Sequence, residues 1–465
     1  MKSLNFINKN IHFIGIAGSG MIALAQYLRA FGRCKITGSE IRETAASKDL
    51  LLQGIKIAFS HHQDNVKEAQ IVVYSSAISE TNVEIKYAKK HKIPCFSRGE
   101  FLAYLMSSYK KQVVVAGTHG KTTTTGMLIH ILDAAGVTPS FMIGGELPPY
   151  HINGRFSESS TFISESDESD GSFLLLNPSH MILNNLEPEH LNYYQTPENL
   201  FNAFKTFIGQ SIKNNAKIAI NIDDPNLRSV ATHIESDNYI SFSLESTQAD
   251  FSACNITFND NESIFDLYQG DTCIETISIN LIGLHNIYNA LAACSLAITF
   301  GISVHNIQKG LSNFLGVKRR IQYLGNYNNI QVYDDYGHHP TEIQATLDGL
   351  KKSKKSPIVC VFQPHRYSRV KELMNDFHTS FSDADRVLIT PIFSANESND
   401  DETLIDTMIT GIKNYSDCDV SFFNSFDDVV KNLIKTLKKG DVLITMGAGD
   451  IHQVAHNLTT HYQHL

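Results

Sequence analysis

What this chain lacks narrows the field first. Its seven cysteines, at positions 34, 95, 254, 273, 294, 360 and 418, are odd in number, scattered, and include no CxxC pair. That pattern suggests neither a disulfide framework nor a zinc site, and it fits idle thiols in a reducing compartment. An excess of positive charge is missing too. Lys and Arg total 39 against 48 Asp and Glu, a formal net charge of −9, which disfavours non-specific nucleic-acid binding but leaves room for a local basic anion site. The opening stretch MKSLNFINKNIHFIGIAGSG has no long apolar core and no cleavage site of the signal-peptide kind. The most apolar long stretch, LIGLHNIYNALAACSLAITFGI, carries His285, Asn286 and Asn289 and reads as a buried or amphipathic helix, not a membrane span. A cytoplasmic protein with neither membrane nor nucleic acid as partner is expected. No short repeat and no low-complexity tract is visible.

What is present is an ordinary globular composition, 42% hydrophobic and 19% charged over 465 residues. Single cores stop growing near about 250 to 300 residues, so two to four domains are expected. Short apolar runs alternate with helical patterns three times over. IHFIGI, CKITGS, IVVYSSA and IPCF read as strands in the first segment, and MIALAQYLRAF sets Met21, Leu24, Ala25 and Leu28 on one helical face. After the polar linker SSYKK a new strand, QVVVAG, enters a Gly-rich turn and a helix from Thr122 to about Ala135, followed by strands at STFISES, HMILNN and AKIAIN. Residues 239–282 suggest a small antiparallel insertion, and a helix spans about 286–300. A third unit begins near Gly316, with strands at NIQVYDDY, PIVCVFQP, DRVLITPI and DVLITMGAG around the helix PTEIQATLDGLKK. Strand–helix alternation implies α/β domains with parallel sheets.

Several motifs sit where such sheets bind ligands. In AGTHGKTTTT a Gly-rich turn leads from a buried strand into a helix, exposing backbone N–H groups and a positive helix end to an anion. Lys121 can reach β/γ-phosphates and the Thr122 hydroxyl can ligate Mg2+, yet only two residues separate Gly117 from Gly120, where a usual P-loop has four. GIAGSG at 15–20, with Glu40 twenty residues after Gly20, has a GxxGxG spacing. That leaves open an NAD-type site, another nucleotide-diphosphate site or a structural turn. The acidic stretch ISESDESDGSF (Glu165, Asp167, Glu168, Asp170) and LNNLEPEHLNYY (Glu187, Glu189, His190) offer ligands for Mg2+, or a solvated acidic loop; spacing alone does not choose among the acids. DDYGHHPTE and FQPHRYSR each follow a strand of the third unit and supply a plausible anion site, and GVKRRI adds an Arg pair.

Taken together, GTHGKTTT, SESDESDGSF, NNLEPEH, GLHNIYNALAA, GVKRRI, DDYGHHPTE, FQPHRYSR and MGAGDI resemble the Mur ligases, ATP-dependent amide ligases of cell-wall precursor synthesis, in the family's order and across essentially the whole chain. The short loop then looks like that family's ATP loop. The strings are most similar to the branch that joins L-alanine to the lactyl carboxylate of UDP-N-acetylmuramate. The resemblance implies three α/β domains: a Rossmann-like one at 1–107 for the UDP-sugar, a central P-loop-type ATPase at 108–315, and a Rossmann-like one at 316–465 for the amino acid. It also implies ATP and two Mg2+ ions, and a monomer or weak homodimer.

Residue by residue, the resemblance places Gly117, Thr118, His119, Gly120, Lys121, Thr122 and Thr123 on ATP, with His285 and Asn289 at the adenosine, Arg320 at phosphate and Asp335 at the ribose. Thr122, Glu165 and His190 hold metal. Gly15, Ala17, Gly18, Ser19, Gly20, Met21, Ser39, Glu40, Ser75 and Ser76 meet the UDP-sugar, so GIAGSG becomes a UDP-diphosphate turn. His338, His339, Arg366 and Arg369 face the reacting carboxylate and the incoming alanine; Lys121, Glu165, His190, His338, Arg366 and Arg369 form the catalytic set. The chain departs from the family at Glu40, where Asp is frequent, and at Ser164 and Ser166, where alanines are common. Lys205, fifteen residues after His190, is read as an ordinary surface lysine, although some relatives carry a carbamoylated lysine near that distance. Other readings stay open beside this one: a recycling ligase that attaches a tripeptide, an NAD(P)-dependent oxidoreductase, and a non-catalytic nucleotide-binding subunit.

Overall fold

Each strand read from the sequence is a strand in the computed structural model, which describes residues 6–231, 238–395, 397–399 and 401–463. Three sheets collect them. The first is wholly parallel, in the order Lys56–Ala58, Lys35–Ser39, Asn10–Ile14, Ile71–Tyr74, Cys95–Ser97. Strand order reverses between Asn10–Ile14 and Ile71–Tyr74, and ligands of such sheets bind beyond the carboxyl ends at that switch. The turn at 15–20 leaves one of these strands and Ser75 leaves the other, its N–H donating to the Ile14 carbonyl at 3.1 Å. Helix Ser19–Phe31 buries Met21, Leu24, Ala25 and Leu28 as its periodicity requires, and ends at Gly32 in the left-handed conformation, φ 71°.

The second sheet runs Thr272–Ile279, Glu262–Gln269, Phe251–Asn259, Tyr239–Ser243, Lys217–Asn221, His180–Leu183, Lys111–Ala116, Thr161–Glu165, Ser140–Leu147, Ile152–Arg155. It is parallel from Phe251–Asn259 through Ser140–Leu147, and Ile152–Arg155 closes it antiparallel. The antiparallel insertion expected for 239–282 begins later than the sequence suggests. Tyr239–Ser243 pairs parallel with both neighbours, and only the strands after it are joined by two-residue links, which parallel strands cannot use. The third sheet has the order Gln322–Tyr327, Ile330–Asp335, Val442–Met446, Ile358–Phe362, Arg386–Ile389, Asp419–Phe422, antiparallel only at its first pair.

The chain divides into two compact units, residues 1–254, 266–277 and 288–314, and residues 255–265, 278–287 and 315–465. The first unit holds two sheets because they share a core. Phe13, Leu24, Tyr27 and Phe101 from one side join Val114, Phe162, Phe173 and Phe204 from the other in one apolar cluster. Polar contacts fix the same junction: the Tyr27 and Tyr109 hydroxyls lie 2.7 Å apart, and the Gln26 Oε1 accepts the Asn153 N–H at 2.7 Å. Among the described residues no helix is long and apolar enough to cross a membrane.

Candidate active site

Three neighbouring strands of the second sheet deliver the phosphate loop, the acidic stretch and the LNNLEPEH segment to one edge. Lys111–Ala116, buried over its last four residues, runs into Gly117 at φ 132° and Gly120 at φ 79°, and helix Lys121–Ala134 follows. Both glycines are needed for conformation and for space: a Cβ at Gly117 would fall 2.8 Å from the Asn185 carbonyl oxygen, and one at Gly120 would strike the Asn289 amide. Asn185 holds the loop from the adjacent strand. Its carbonyl accepts the Thr118 N–H at 3.1 Å and its Oδ1 accepts the His119 N–H at 2.7 Å. Behind the loop the Thr124 hydroxyl donates to Asn289 Oδ1 at 3.1 Å and accepts from Asn184 Nδ2 at 3.0 Å. The threonine run therefore packs and hydrogen-bonds inside a helix whose residues from Thr122 through Leu132 are buried.

Lys121 spends its ammonium donors inside the protein: on the Gly117 carbonyl at 2.6 Å, the Thr118 carbonyl at 2.9 Å and Glu168 Oε1 at 2.6 Å. Burial presses its pKa down, but Glu168, Glu189 and Glu165 outweigh burial and hold the ammonium above its ordinary range. The Thr122 hydroxyl donates to Glu165 Oε2 at 2.7 Å, at the end of the strand Thr161–Glu165. His190, in the left-handed region at φ 58°, sets its Nε2 3.7 Å from both Glu168 and Glu189. Burial lowers its pKa, and those two carboxylates more than reverse the effect. Ligand atoms of Glu168, Glu189 and His190 lie within 4.8 Å of one another. Glu168 Oε2 is buried with no hydrogen-bond partner. Carboxylates, a threonine hydroxyl and an orphaned buried oxygen suit a hard divalent cation.

The other predicted residues have different immediate partners. Glu40 Oε2 accepts the Ala17 N–H at 3.2 Å and Oε1 accepts its neighbour Ile41 N–H at 2.9 Å, so its longer side chain braces the Gly-rich turn. Ser39 is fully buried and donates to Glu84 Oε2 at 2.6 Å. Met21 is buried, whereas Ser76 is exposed. His285 falls in the second compact unit and Asn289 in the first; burial holds the His285 imidazole down to about 4.

Asp335 is buried, and its two oxygens accept the N–H groups of Ile321 and Gly337, each at 2.6 Å. Burial raises it to about 6 against the pull of Arg320 and those amides. Arg320 lies over the Tyr336 ring, 5.2 Å from its centroid, with Nη1 3.6 Å from Glu342. His339 caps helix Pro340–Lys354, its Nδ1 accepting the Thr341 N–H at 3.4 Å. His338 Nδ1 is 3.0 Å from the Tyr336 carbonyl, and its ring meets that of His365 at 5.5 Å. Arg369 Nη1 is 3.1 Å from His365 Nδ1, and Arg366 is exposed beside it. Lys205 stands exposed on helix Pro197–Lys213.

Sequence reasoning passed over four contributors. His365 stacks on Phe393 at 5.6 Å, and burial, then His338, Arg369 and Arg366, push it down to about 3. Its only signal was its place in FQPHRYSR. Asn184 and Asn185 gave a signal too, two amides closing a buried strand beside the loop. Glu84 gave none: it is buried under the first sheet's edge with Ser39, His61 at 3.2 Å and the His62 N–H at 3.2 Å. Burial raises its pKa, but hydrogen bonds from His12, Ser39 and Asn65 bring it down to about 2.

A phosphate loop backed by an acidic, histidine-bearing edge, in a chain with two further α/β sheets, is the architecture of an ATP-using ligase, and the chain belongs to the Mur ligase family. Its residues 10–110 match the Mur ligase family catalytic domain, 115–297 the Mur ligase middle domain, and 319–449 the Mur ligase glutamate ligase domain. UDP-N-acetylmuramate–L-alanine ligase of Clostridium novyi (strain NT) is 37% identical over 455 residues, covering 97% of this chain and 98% of its own. The enzyme of that name from Clostridium acetobutylicum is 39% identical over 451 residues, 97% of each chain. Among solved structures, UDP-N-acetylmuramate–alanine ligase of Thermotoga maritima superposes with a TM-score of 0.84 at 26% identity, covering 98% of this chain and all of the other. A murein peptide ligase of Psychrobacter arcticus gives 0.71 at 26% identity over 98% and 99%.

Proposed function

We propose that this protein is an ATP-dependent amide ligase that joins L-alanine to the lactyl carboxylate of UDP-N-acetylmuramate in peptidoglycan precursor synthesis. The observation that carries the reading is the Lys121–Glu168–His190 cluster at the mouth of the short phosphate loop, in a chain similar over nearly its full length to alanine ligases. In this reading residues 1–107 take the UDP-sugar, 108–315 take ATP and 316–465 take alanine. The muramoyl carboxylate oxygen attacks the γ-phosphorus, ADP leaves, and an acyl phosphate forms. The alanine amine then attacks the acyl carbon, loses a proton, and phosphate departs.

Both steps bring anions together, so the chain's work is positioning and charge compensation. Lys121 and the N-terminus of helix Lys121–Ala134 face the phosphates. Arg366 and Arg369, three residues apart just past Ile358–Phe362, offer guanidinium forks to a carboxylate and to the acyl group. Thr122, Glu165 and His190 would hold Mg2+, with Glu168 beside them on Lys121; when bound, the ion supplies Lewis-acid stabilisation of the phosphoryl oxygens. A tripeptide-adding activity is the competing reading. The higher superposition on the alanine ligase, 0.84 against 0.71, favours alanine. The test is phosphate release with ATP, UDP-N-acetylmuramate and a panel of acceptors. Release driven by alanine is expected; release driven only by a tripeptide would replace this reading, and no release with any acceptor would remove it.

A further inference from the structure

One residue touches both the Gly-rich turn and the acidic loop. Arg98 opens helix Arg98–Met106. Its Nη2 donates to Asp167 Oδ2 at 2.7 Å and to the Ser172 hydroxyl at 3.4 Å, with Asp170 at 3.7 Å. Asp167 sits between Glu165, which accepts from Thr122, and Glu168, which pairs with Lys121. The acidic loop is thus held at adjacent residues, by the phosphate loop at Glu168 and by Arg98 at Asp167. Arg98 and Asp167 form an ion pair at 2.7 Å.

The opposite edge of the guanidinium is uncommitted. Nε and Nη1 take no hydrogen-bond partner among the described residues. They lie against Gly20, where a Cβ would fall 2.7 Å from Arg98 Cδ and 3.4 Å from both nitrogens. Gly20 is in the first turn of helix Ser19–Phe31, whose leading N–H groups carry positive partial charge. A guanidinium beside a helix N-terminus is two like charges side by side. The arrangement becomes favourable when an anion lies between them.

We propose that Arg98 is a positioning residue that couples the two substrate sites: a diphosphate at the Gly-rich turn engages its free edge, which steadies Asp167 and with it the loop that carries Glu165 and Glu168, so the UDP-sugar and the metal–nucleotide each tighten the other. This rests on the proposed function, which assigns the turn to a UDP-diphosphate. Coupling of this kind is reciprocal, and it arises because the first ligand has already ordered the bridge the second needs. A planar fork can serve two partners on two edges; an ammonium on a flexible stem cannot hold both in register.

Calorimetric titrations test it. The Kd of UDP-N-acetylmuramate is measured with and without Mg2+ and a non-hydrolysable ATP analogue, and the Kd of the analogue with and without the sugar nucleotide. The wild type is expected to show the same factor in both directions, about 5-fold or more. Arg98→Lys keeps the charge and should reduce that factor to below about twofold, while the analogue alone binds within about threefold of wild type. Asp167→Asn, which leaves Arg98 in place, should lower the factor in the same direction. A wild-type factor near one, or a factor unchanged in both variants, overturns the coupling. If the sugar nucleotide fails to bind the wild type at all, the functional reading falls and takes this inference with it.

Discussion

Replacing Lys121 by methionine separates the lysine's two tasks. The ammonium lies 2.6 Å from Glu168, whose side chain is only 5% exposed against 17% for that of the lysine. Removing it leaves a buried carboxylate without its cation, a change that costs about 3 to 5 kcal/mol of stability for a buried pair. The same ammonium is the charge proposed to meet the phosphates. Losing one preorganised contact of that type costs about 3 to 4 kcal/mol in the transition state, roughly 10²- to 10³-fold in rate. Lys121→Met should therefore lower the melting temperature by several degrees and nearly abolish phosphate release. The double variant Lys121→Met with Glu168→Gln removes both charges. Its melting temperature should climb back toward wild type, since an absent pair is far less costly than half of one. Its activity should not recover. Differential scanning calorimetry and phosphate release on wild type, Lys121→Met, Glu168→Gln and the double variant complete the cycle. Activity of Lys121→Met within a few-fold of wild type, or recovery of activity in the double variant, would refute the reasoning.

Three further outcomes are expected. Glu165→Ala and His190→Ala should each raise the Mg2+ concentration needed for half-maximal turnover, and Glu168→Ala should raise it less; if Glu168 is the most sensitive of the three in a Mg2+ titration, the metal-binding assignment shifts three residues along SESDESD. Arg366→Lys and Arg369→Lys should raise KM for alanine more than KM for ATP, and wild type should use glycine and serine poorly, since a pocket weighs one methylene at about 1 to 3 kcal/mol; loss of ATP affinity in both variants would move the alanine site elsewhere. Burial holds the His130 imidazole down to about 4, Asp133 raising it and Arg155 lowering it. Unfolded chains bind a proton there near pH 6.5 and the native state does not, so this group's contribution is intact above 6.5 and is lost as pH falls toward 4, roughly 3 kcal/mol in all. His130→Gln should flatten that acid limb in a thermal-stability profile, and an unchanged limb would exclude His130 as its source.

The parallel strands were legible because buried strands of α/β sheets read as continuous apolar runs, as QVVVAG and PIVCVF do. Shorter or partly exposed strands were not: Lys56–Ala58 has three residues, none buried, and Asp419–Phe422 buries only Val420. The hairpin Ser140–Leu147 and Ile152–Arg155 escaped notice because three of its glycines break any alternation. The site was legible as far as motifs reach. Spacing could list Glu165, Asp167, Glu168 and Asp170, but only the fold divides them: Glu165 to Thr122, Glu168 to Lys121, Asp167 to Arg98. Arg98 and Glu84 sit in no recognisable string, and their partners lie tens of residues away in sequence.

The short phosphate loop follows from the same division of labour. A longer loop can wrap an anion with its own amides, but two residues between Gly117 and Gly120 leave too little chain for that. Here the adjacent strand supplies the missing constraint, Asn185 gripping the Thr118 and His119 amides and Thr118 Oγ1 accepting the Glu187 N–H at 2.8 Å. Lys121 then folds back on the carbonyls of Gly117 and Thr118 and on Glu168. A nucleotide cannot simply add to that arrangement, because the ammonium has three donors and all are in use. To meet a phosphate, Lys121 must give up a partner. Glu168 is the partner whose release has a use, since its second oxygen is already orphaned and His190 and Glu189 stand beside it. If the proposed function holds, the ion pair at the loop keeps a cation and an anion stored against each other until a ligand offers each a better partner.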